Sequence, residues 1–448
     1  MMVEYWYVLT VVVMKIWIIY WKIGKNTEHR GFLMKVYAVG GQVRDEIMGV
    51  EPKDRDYVVV GSSIEEMLSL GFTKVGAHFP VFLHPTTGEE YALARTEVST
   101  GDGYNDYFVQ FAPTVTIEED LRRRDLTINS IAKDLETGEY IDPFGGIEDI
   151  KRKVIRATDP LAFIEDPLRI LRAFRFSARL GWPIGGDTAK LICESKDKLE
   201  ALPKERKFKE LEKVLSTRNE DISAFFVGMV GVGEYPELMH LVGVLQPEEH
   251  HPEGDAFKHT LLCLDYANTC TQTDIPYTAK ELFAVLCHDF GKAIYWETGK
   301  LHGHEVAGVE IVKKFCDRIG APKDWEGLAV LVCKHHGHVH GVMNMKPLKV
   351  YDLLKSFGFE HQTATTFSVI RCCVADARGR GPSKVDCSYP QGIYLSLIMK
   401  DYLENRTAIK EESHRLAAKW VGNAEMCKAE IRAAKIGVIR KAIKKLTV

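Results

Sequence analysis

The stretch Lys35–Val60 reads KVYAVGGQVRDEIMGVEPKDRDYVVV and decides the fold of the first part of the chain. Two β-rich runs, Lys35–Val39 and Tyr57–Val60, enclose a glycine pair and a segment that predicts a helix starting near Arg44. Glycines let a turn bring backbone N–H groups close to phosphate oxygens ahead of a helix. The pattern therefore predicts an α/β unit with a phosphate-binding turn after its first strand.

Two carboxylates accompany the second run. Asp54 and Asp56 are one residue apart, and residues i and i+2 of a strand face the same side. We therefore expect both to project from one side of one rigid element. Carboxylates placed in this way can hold a pair of Mg²⁺ ions, and together with the glycine turn they indicate the transfer of a nucleotide.

Length and composition narrow the class of protein. A chain of 448 residues predicts two to four domains, and 46% hydrophobic with 27% charged residues is ordinary for a globular protein. The net charge of −3 gives no overall attraction for nucleic acid, so a polyanion must be held by local patches. Ten cysteines without a C-x-x-C pair indicate reduced thiols and a cytoplasmic location.

The N-terminal residues 1–33 form an apolar extension of uncertain status. Residues 5–21 are almost unbroken apolar sequence, borderline in length for a membrane span. A signal peptide is not expected, because Glu4 precedes the run and no small-residue cleavage site follows it. Three interpretations stay open: a dispensable extension ahead of a start at Met34, a membrane-associating helix, or a packed core element. If the run inserted, the basic residues after it would leave the rest of the chain in the cytoplasm.

Two kinds of pattern divide the rest of the chain. Over residues 34–157 short β-rich runs alternate with turns and helices, and residues 86–88 form a hairpin-like break. The polar, glycine-containing segment 99–107 predicts a mobile loop. From about Asp159 onward the apolar residues recur at helical spacing, so this part is predicted to be all-α.

Three consecutive arginines precede Asp125 in the head. Arginine offers a forked donor to phosphate or ribose oxygens, so one of them, Arg124 for example, could clamp a triphosphate. Asp125 or Asn129 could then meet the sugar. The alternative is a basic, solvated helix start.

A second cluster begins at Asp166. Pro167 suits a first helical turn and Asp166 its cap, while Arg169, Arg172 and Arg175 share one broad helix face. Asp166 accepts hydrogen bonds and Arg169 donates them, so the pair can match the Watson–Crick edge of a base. The alternative is a capping aspartate with an arginine-rich solvated face.

Of the 16 histidines, 11 fall between His240 and His340. His288 and Asp289 are adjacent at the predicted end of a helix, with Gly291 as its stop. They belong to a series of candidate metal ligands: His259, His288, Asp289, His304, His336 and Asp376. His240, His250, His251, His338 and His340 are interpreted as ordinary surface or core residues.

The order of these motifs closely resembles the bacterial class II tRNA nucleotidyltransferases, the CCA-adding enzymes, and their poly(A) polymerase relatives, from about Met34 to at least Arg380. The resemblance implies that CCA is added to the 3′ end of tRNA from CTP and ATP without a nucleic-acid template. It implies nucleotide binding by Gly41, Arg44, Arg124, Arg172 and Arg175, Mg²⁺ binding by Asp54 and Asp56, and base reading by Asp166 and Arg169. It also implies a flexible loop over Arg95–Tyr107 and a hinge over Asp142–Gly146.

The histidine series resembles the HD phosphohydrolase domain, in which imidazoles and carboxylates bind the metal that activates water. In this family such a domain implies 2′,3′-cyclic phosphodiesterase, 2′-nucleotidase and phosphatase activity, with Ni²⁺ or another divalent transition metal. His288 and Asp289 would be its catalytic residues.

The expected fold class is α+β: a small mixed α/β nucleotidyltransferase head followed by an elongated all-α neck, body and tail. The predicted domains are the extension 1–33, the head 34–157, a neck and body 158–250 with base recognition, an HD domain 251–380 and a helical tail 381–448. Lys204–Lys209 and Lys428–Lys445 are candidates for holding tRNA, and the second of these has a solvated amphipathic helix as its alternative. A homodimer is a further expectation.

Three other functions remain open at this point. A poly(A) polymerase shares the head motifs, although the histidine series argues against it. A guanosine tetraphosphate synthetase/hydrolase also joins these two domain types, but in the reverse order. A metal-dependent phosphohydrolase whose head only binds RNA is the alternative from a different class.

Overall fold

The computed structural model describes residues 34–52, 54–75, 80–99, 107–218, 221–249, 251–270 and 275–446. The apolar run at residues 5–21 lies outside them. Among the residues described, no helix has the length and apolar character needed to cross a membrane. The chain divides into two compact units, Met1–Glu165 and Asp166–Val448. Sequence placed the end of the head at residue 157, slightly before this division.

The first unit is built on a mixed sheet. Its strands are β1 (Lys35–Val39), β2 (Asp56–Val60), β3 (Thr73–Val75), β4 (Val81–Leu83), β5 (Glu90–Leu93), β6 (Arg95–Ser99), β7 (Tyr107–Phe111), β8 (Ala132–Asp134) and β9 (Tyr140–Ile141). Seven of them form one sheet in the order β3-β4-β5-β2-β1-β8-β9, and β6 pairs with β7 in a separate ribbon. The pairing of β2 with β5 is parallel and the other pairings are antiparallel.

Both faces of the sheet are covered, which explains the continuous valine run in β2. Val58 packs with Val39 and Leu121 on one face, and Val59 packs with Phe82 on the other. Successive residues of a strand point to opposite faces, so a strand covered on both sides needs apolar residues at each position. The helices of this unit are Gly41–Ile47, Ile64–Ser69, Ile117–Arg122, Gly146–Arg152 and Pro160–Glu165, with a 3₁₀ turn at Thr127–Asn129.

Two expectations for the head need correction. The second strand begins at Asp56, so Asp54 lies in the bend before it, and the two aspartates do not share one strand. The segment expected to be a loop from Arg95 to Tyr107 begins as strand β6 and ends on β7, because its flanks pair as an antiparallel ribbon. Residues 100–106 lie outside the described part of the chain.

The second unit is helical, as expected. Its helices are Leu168–Leu180, Gly186–Ser195, Lys204–Leu215, Ser223–Gly231, Pro236–Met239, Ala256–Thr269, Ala279–Cys287, Tyr295–Thr298, His304–Ile319, Lys323–His340, Pro347–Ser356, Thr363–Arg378, Pro390–Glu404, Arg406–Lys419 and Ala424–Leu446. Short 3₁₀ helices cover Lys196–Ala201, Phe290–Ile294 and Val342–Asn344. Its described residues contain no strand, only an isolated bridge between Leu245 and Asp255.

Helix Ala279–Cys287 lies at the centre of the second unit. A capping box between Thr278 and Glu281 starts it, and nearly all its side chains are buried. It packs against helices Ala256–Thr269, Lys323–His340 and Thr363–Arg378. Its last residue is followed directly by His288 and Asp289, so the packing of the helix carries this pair into the interior.

Candidate active sites

The glycine turn of the head lies next to an arginine. Gly40 has a φ of 70°, which favours glycine, and a Cβ there would come within 3.1 Å of Nη1 of Arg124. The helix Gly41–Ile47 starts at this turn, so its first N–H groups face the same region. The structure thus places Arg124 against the glycine turn, at the residue before the predicted nucleotide contact Gly41.

Arg124 is oriented by a buried carboxylate that the sequence did not single out. Asp120 is fully buried, and its two oxygens accept hydrogen bonds from Arg123 (2.8 and 3.0 Å) and Arg124 (3.1 and 3.3 Å). Burial raises the pKa of Asp120, but the two guanidinium groups outweigh it and hold the pKa below the ordinary range. The ionised carboxylate of Asp120 therefore holds both guanidinium groups in place.

Arg44 is more buried than expected for a side chain whose role is to contact phosphate. It is 2% exposed, and its guanidinium donates to Asp45 Oδ1 (2.7 and 2.9 Å) and to Asn129 Oδ1 (2.7 Å). Asn129 in turn donates to Asp125 Oδ1 at 3.2 Å. The predicted sugar-contacting residues and Arg44 therefore form one buried polar network behind the turn.

Asp54 and Asp56 are exposed. Nearby protein atoms partly desolvate the Asp56 carboxylate, which raises its pKa. Arg124 opposes this rise, and the negative charge of Asp54 adds to it. Within the described part of the chain, neither carboxylate accepts a hydrogen bond or forms an ion pair. Two neighbouring unpaired carboxylates, one with a raised pKa, are oxygen donors that suit Mg²⁺.

The cluster at Asp166 lies at the start of helix Leu168–Leu180. Asp166 Oδ1 accepts the backbone N–H of Leu168 at 3.1 Å, which matches its expected capping role. Its carboxylate also pairs with Arg206 (3.1 and 3.2 Å). Arg169 is 9% exposed, and so is not on a solvated face.

The structure brings all six candidate ligands of the histidine series together. His259 comes from helix Ala256–Thr269, and His288 and Asp289 follow helix Ala279–Cys287. His304 starts its own helix, His336 lies on helix Lys323–His340, and Asp376 lies on helix Thr363–Arg378. Most of the set is fully or nearly fully buried, and His304 is partly buried.

The atoms that face one another are ring Nε2 atoms and carboxylate oxygens. His304 Nε2 and His336 Nε2 each lie 3.6 Å from Asp289 Oδ1. His259 Nε2 lies 3.1 Å from Asp376 Oδ1 and 3.8 Å from Asp289 Oδ2, and His288 Nε2 lies 3.2 Å from Asp289 Oδ2. These spacings are typical of donors arranged around a common centre.

The other nitrogen of each imidazole is held by a fixed acceptor. The Nδ1 atoms of His288, His304 and His336 lie 2.7, 2.9 and 3.0 Å from the backbone oxygens of Val285, Leu301 and Cys333. Nδ1 of His259 lies 2.7 Å from Glu253 Oε1. A hydrogen bond from Nδ1–H leaves the Nε2 lone pair for a metal and orients the ring, which is the usual support of a histidine ligand.

The donor set fits a divalent transition metal. Oδ1 of Asp289 is fully buried and accepts no hydrogen bond among the described residues, which is costly without a bound cation. Burial lowers the pKa of His336 to about 4, so its ring is neutral at pH 7, the form that binds metal. Burial raises the pKa of Asp289, but His288 and Lys292 outweigh it and keep the carboxylate ionised. Imidazole-rich ligation favours such metals over Mg²⁺.

Gly291 has a different role from the predicted one. The helix ends at Cys287 with His288 as its cap, so Gly291 is not the stop. A Cβ at Gly291 would lie 1.8 Å from the backbone oxygen of His304. The glycine therefore permits the close approach that brings His304 to Asp289.

The Poly A polymerase head domain family matches residues 36–156 and the HD domain family matches residues 257–377. A multifunctional CCA protein of Mannheimia succiniciproducens is 41% identical over 382 residues, covering 83% of this chain and 90% of the relative. The chain belongs to the multifunctional CCA protein family. A second member, from Nitrosomonas eutropha, is 38% identical over 419 residues and covers 91% of this chain and 98% of the relative.

Solved structures share the fold of this family member. An apo CCA-adding enzyme has a TM-score of 0.59 at 22% identity, with 92% of this chain and 89% of that chain covered. A CCA-adding enzyme in complex with ATP gives the same TM-score, identity and coverage. The predictions of fold class and of a nucleotidyltransferase of the CCA-adding family are confirmed. The roles of individual residues stay predictions.

Two histidines interpreted as ordinary surface or core residues lie beside the candidate ligands of the HD site. His340 Nε2 lies 2.6 Å from Asp376 Oδ2. His251 Nδ1 lies 2.9 Å from Glu253, the acid that holds His259. Their positions depend on how helices separated in sequence pack, which no local spacing reveals. Of the other three, His240 and His338 are exposed, and His250 lies outside the described residues.

Some charges of the two basic segments pair with acids of the protein itself. In Lys204–Lys209, Lys207 is 7% exposed and pairs with Glu234 at 2.9 Å, and Arg206 pairs with Asp166. In the tail, Arg432 pairs with Asp352, Lys435 with Glu360 and Lys445 with Asp401. Several of these charges thus stabilise the protein's own fold, and tRNA binding by either segment stays a prediction.

The segment Asp142–Gly146, predicted to be a hinge, lies inside the first unit. The carboxylate of Asp142 accepts the N–H groups of Gly146 (2.7 Å) and Ile147 (2.8 Å). A Cβ at Gly146 would lie 2.2 Å from the backbone oxygen of Thr127. The turn is therefore closely packed, and its role as a hinge stays a prediction.

Proposed function

We propose that this enzyme adds C, C and A to the 3′ end of tRNA from CTP and ATP, without a nucleic-acid template, at the site around Asp54 and Asp56. Membership of the multifunctional CCA protein family supports the reaction, and so does the glycine turn beside two unpaired carboxylates. Solved relatives in complex with ATP, with CTP and with a primer tRNA support the substrates.

The candidate site residues of the head each have a role in this proposal. Asp54 and Asp56 would supply oxygen ligands for two Mg²⁺ ions, and such ions would lower the pKa of the attacking 3′-hydroxyl and stabilise the charge of the pyrophosphate leaving group. The N–H groups after Gly40 and the guanidinium of Arg124 bind the triphosphate, with Asp120 keeping Arg124 in place. Arg44 and Asn129 form the polar wall behind the turn.

Base selection is proposed for the start of helix Leu168–Leu180. Asp166 accepts from the exocyclic amino group that cytosine and adenine share and that uracil lacks. Arg169 donates to the acceptor beside it, and Arg172 and Arg175 make further nucleotide contacts. Protein side chains would then replace a template.

The HD site is proposed as a second, hydrolytic centre. His259, His288, Asp289 and Asp376, with His304 and His336, would hold Ni²⁺ or another divalent transition metal, which supplies an activated water. The proposed reactions are hydrolysis of 2′,3′-cyclic and terminal phosphates. Oδ1 of Asp289, which is buried and accepts no hydrogen bond from the residues that the structure describes, is the observation that carries this part.

Separate alanine variants of the two sites test the proposal. Asp54→Ala is expected to abolish incorporation of CTP and ATP into a 3′-truncated tRNA and to leave hydrolysis of a 2′,3′-cyclic nucleotide unchanged. Asp289→Ala is expected to do the reverse. Glu51→Gln, an exposed acid in the loop before Asp54, is the control. Unchanged incorporation in Asp54→Ala would show that the head only binds RNA.

A further inference from the structure

Two arginines of the second unit, Arg218 and Arg371, lie around a single carboxylate, that of Glu281. The helix that contains Glu281, Ala279–Cys287, packs against the helix that contains Arg371 and against the helix whose end Arg218 follows. Glu281 lies in the first turn of its helix. The three residues belong to none of the candidate sites described above, and the sequence gave no reason to single them out.

The carboxylate of Glu281 is divided between two partners. Its Oε2 accepts hydrogen bonds from the backbone N–H (2.8 Å) and the hydroxyl group (3.2 Å) of Thr278, the residue that caps the helix. Its Oε1 accepts from Nε of Arg371 at 3.0 Å. An arginine frequently binds a carboxylate through two parallel N–H groups, so the helix cap leaves Arg371 with half of such a contact.

One end of the Arg371 guanidinium group lacks an acceptor. Its Nη2 is buried and donates no hydrogen bond to any residue that the structure describes. The guanidinium lies over the ring of Tyr277, with Cζ 4.1 Å from the ring centroid, and the hydroxyl of Tyr277 donates to the backbone oxygen of Arg371 at 3.0 Å. These contacts hold the side chain in place. Nη2 is therefore a buried charged donor, which is costly unless an acceptor binds to it.

Arg218 adds a second positive charge to this cluster. It is partly buried and forms no ion pair within the described part of the chain. Burial lowers the pKa of the Arg218 guanidinium, the positive charge of Arg371 lowers it further, and Glu281 opposes this fall by a smaller amount. Two guanidinium groups thus share one carboxylate, so the three side chains together carry one excess positive charge.

We propose that Arg218 and Arg371 form a binding site for a phosphate group, at the opposite end of helix Ala279–Cys287 from His288 and Asp289. One phosphate oxygen accepts from Nη2 of Arg371, and the other oxygens accept from Arg218, so the anion supplies the missing acceptor and offsets the repulsion between the two arginines. The partial positive charge at the start of the helix adds to the attraction. The phosphate is free orthophosphate or part of an RNA backbone, and both sources share this chemistry.

Thermal unfolding of the full-length protein at increasing concentrations of sodium phosphate tests the site. The ionic strength is held constant, and a chelator is present because phosphate also binds metal ions. A ligand that binds only the folded state raises the unfolding midpoint as its concentration increases. Arg218→Gln is expected to weaken phosphate binding by about tenfold or more, the order expected for losing a charged hydrogen bond. Without phosphate its midpoint should be unchanged or higher, because the repulsion from Arg371 is relieved.

Arg406→Gln is the matched control, because it removes the same charge from an exposed arginine of the same unit. It is expected to keep the whole phosphate-dependent rise. Phosphate can also bind at Arg124 in the head, so the part of the rise that Arg218→Gln removes and Arg406→Gln keeps is assigned to the new site. Arg371→Lys keeps the charge but loses the planar fork, and it should also weaken phosphate binding. Its midpoint without phosphate should fall, because the contact with Glu281 is altered.

Binding of tRNA at several salt concentrations distinguishes the two sources of phosphate. If the site holds an RNA backbone, Arg218→Gln reduces the salt dependence of tRNA binding by about one phosphate contact. If it holds orthophosphate alone, the salt dependence is unchanged and the phosphate-dependent rise in the midpoint is still reduced. Either result supports the site. An equal rise in Arg218→Gln and Arg406→Gln, together with an unchanged salt dependence of tRNA binding, would overturn the proposal.

Discussion

Asp56 and Asp289 are both acids that we propose as metal ligands, but they lie in very different surroundings. Asp56 is an exposed residue of the head, and partial desolvation of its carboxylate raises its pKa, with a smaller contribution from the charge of Asp54. Asp289 is fully buried among imidazoles and Lys292, which keep its pKa well below the ordinary value. The head therefore offers ligands that gain their partners only when ions and nucleotide bind. The HD site is already assembled by the fold.

Loss of Asp56 should have the largest effect on activity. Asp56→Asn is expected to reduce CTP and ATP incorporation by about 10³-fold or more, because a metal ligand of the reaction is lost. The raised pKa means that ionising Asp56 costs the metal-free folded state stability as pH rises above the ordinary value. Thermal unfolding without metal at pH 7 should therefore show an unchanged or slightly higher midpoint. A clearly lower unfolding midpoint would contradict the description of Asp56 as an exposed acid that contributes no stability without metal.

Asp289 should show the opposite balance between activity and stability. Asp289→Asn is expected to abolish phosphohydrolysis and also to reduce the free energy of unfolding by roughly 3 kcal/mol, because Lys292 loses its buried partner at 2.6 Å. Urea unfolding measures the second effect. Incorporation of CTP and ATP on the still-folded variant should persist. Equal stability of Asp56→Asn and Asp289→Asn would remove the distinction between the two sites.

Loss of the Glu253 carboxylate should have an intermediate effect, because Glu253 holds the proposed ligand His259 and is not itself a proposed metal ligand. Glu253→Gln should weaken metal binding at the HD site by about 10- to 100-fold through His259. Titration of the apoprotein with Ni²⁺ by calorimetry measures this directly. Burial raises the pKa of Glu253, but hydrogen bonds from His259 and others outweigh it and lower the pKa to about 2.

The depressed pKa of Glu253 also predicts a pH effect. The stability that Glu253 contributes should be complete above its ordinary pKa and be lost as pH falls towards about 2. Glu253→Gln should lack this part of the acid dependence of the unfolding midpoint. Identical acid profiles of the two proteins would show that Glu253 is not ionised against His259.

Loss of a basic side chain in the tail should have the smallest effect on stability. Arg432→Ala removes an exposed pair with Asp352 at 2.6 Å and should change the free energy of unfolding by less than about 1 kcal/mol. The same variant tests the predicted role of the tail with tRNA. If Arg432 holds tRNA, the salt dependence of tRNA binding should weaken by about one phosphate contact. An unchanged salt dependence would leave Arg432 with its structural role alone.

Local patterns in the sequence predicted much of the head. The runs at β1 and β2 and the hairpin between β4 and β5 follow from residue types and turn residues alone. Asp54 was placed on the strand in error, because strand pairing of β2 with β5 begins only at Asp56. Asp120 was missed, since a buried acid in an acidic helix start has no distinguishing local pattern.

The HD site could also be predicted only in part from the sequence. The residue types at His288 and Asp289 and the histidine density indicated the site, and packing then brought the other helices to it. His340 contacts Asp376, 36 residues away in sequence, a separation that no periodicity encodes. Glu253 holds His259 from the turn before its helix, where no residue pattern marks it as a partner. Such partners become visible only when the packing of the helices is known.

We propose that one chain carries an exposed oxygen-ligand site in its first unit and a buried imidazole-rich site in its second unit, and that the two sites bind different metals. The most direct test removes all metal from the intact enzyme and measures both activities in the same preparation after adding back one metal. Mg²⁺ alone should restore incorporation of CTP and ATP and leave hydrolysis of the 2′,3′-cyclic nucleotide at the metal-free level, which Ni²⁺ should then restore. Full recovery of both activities with Mg²⁺ alone would contradict the claim.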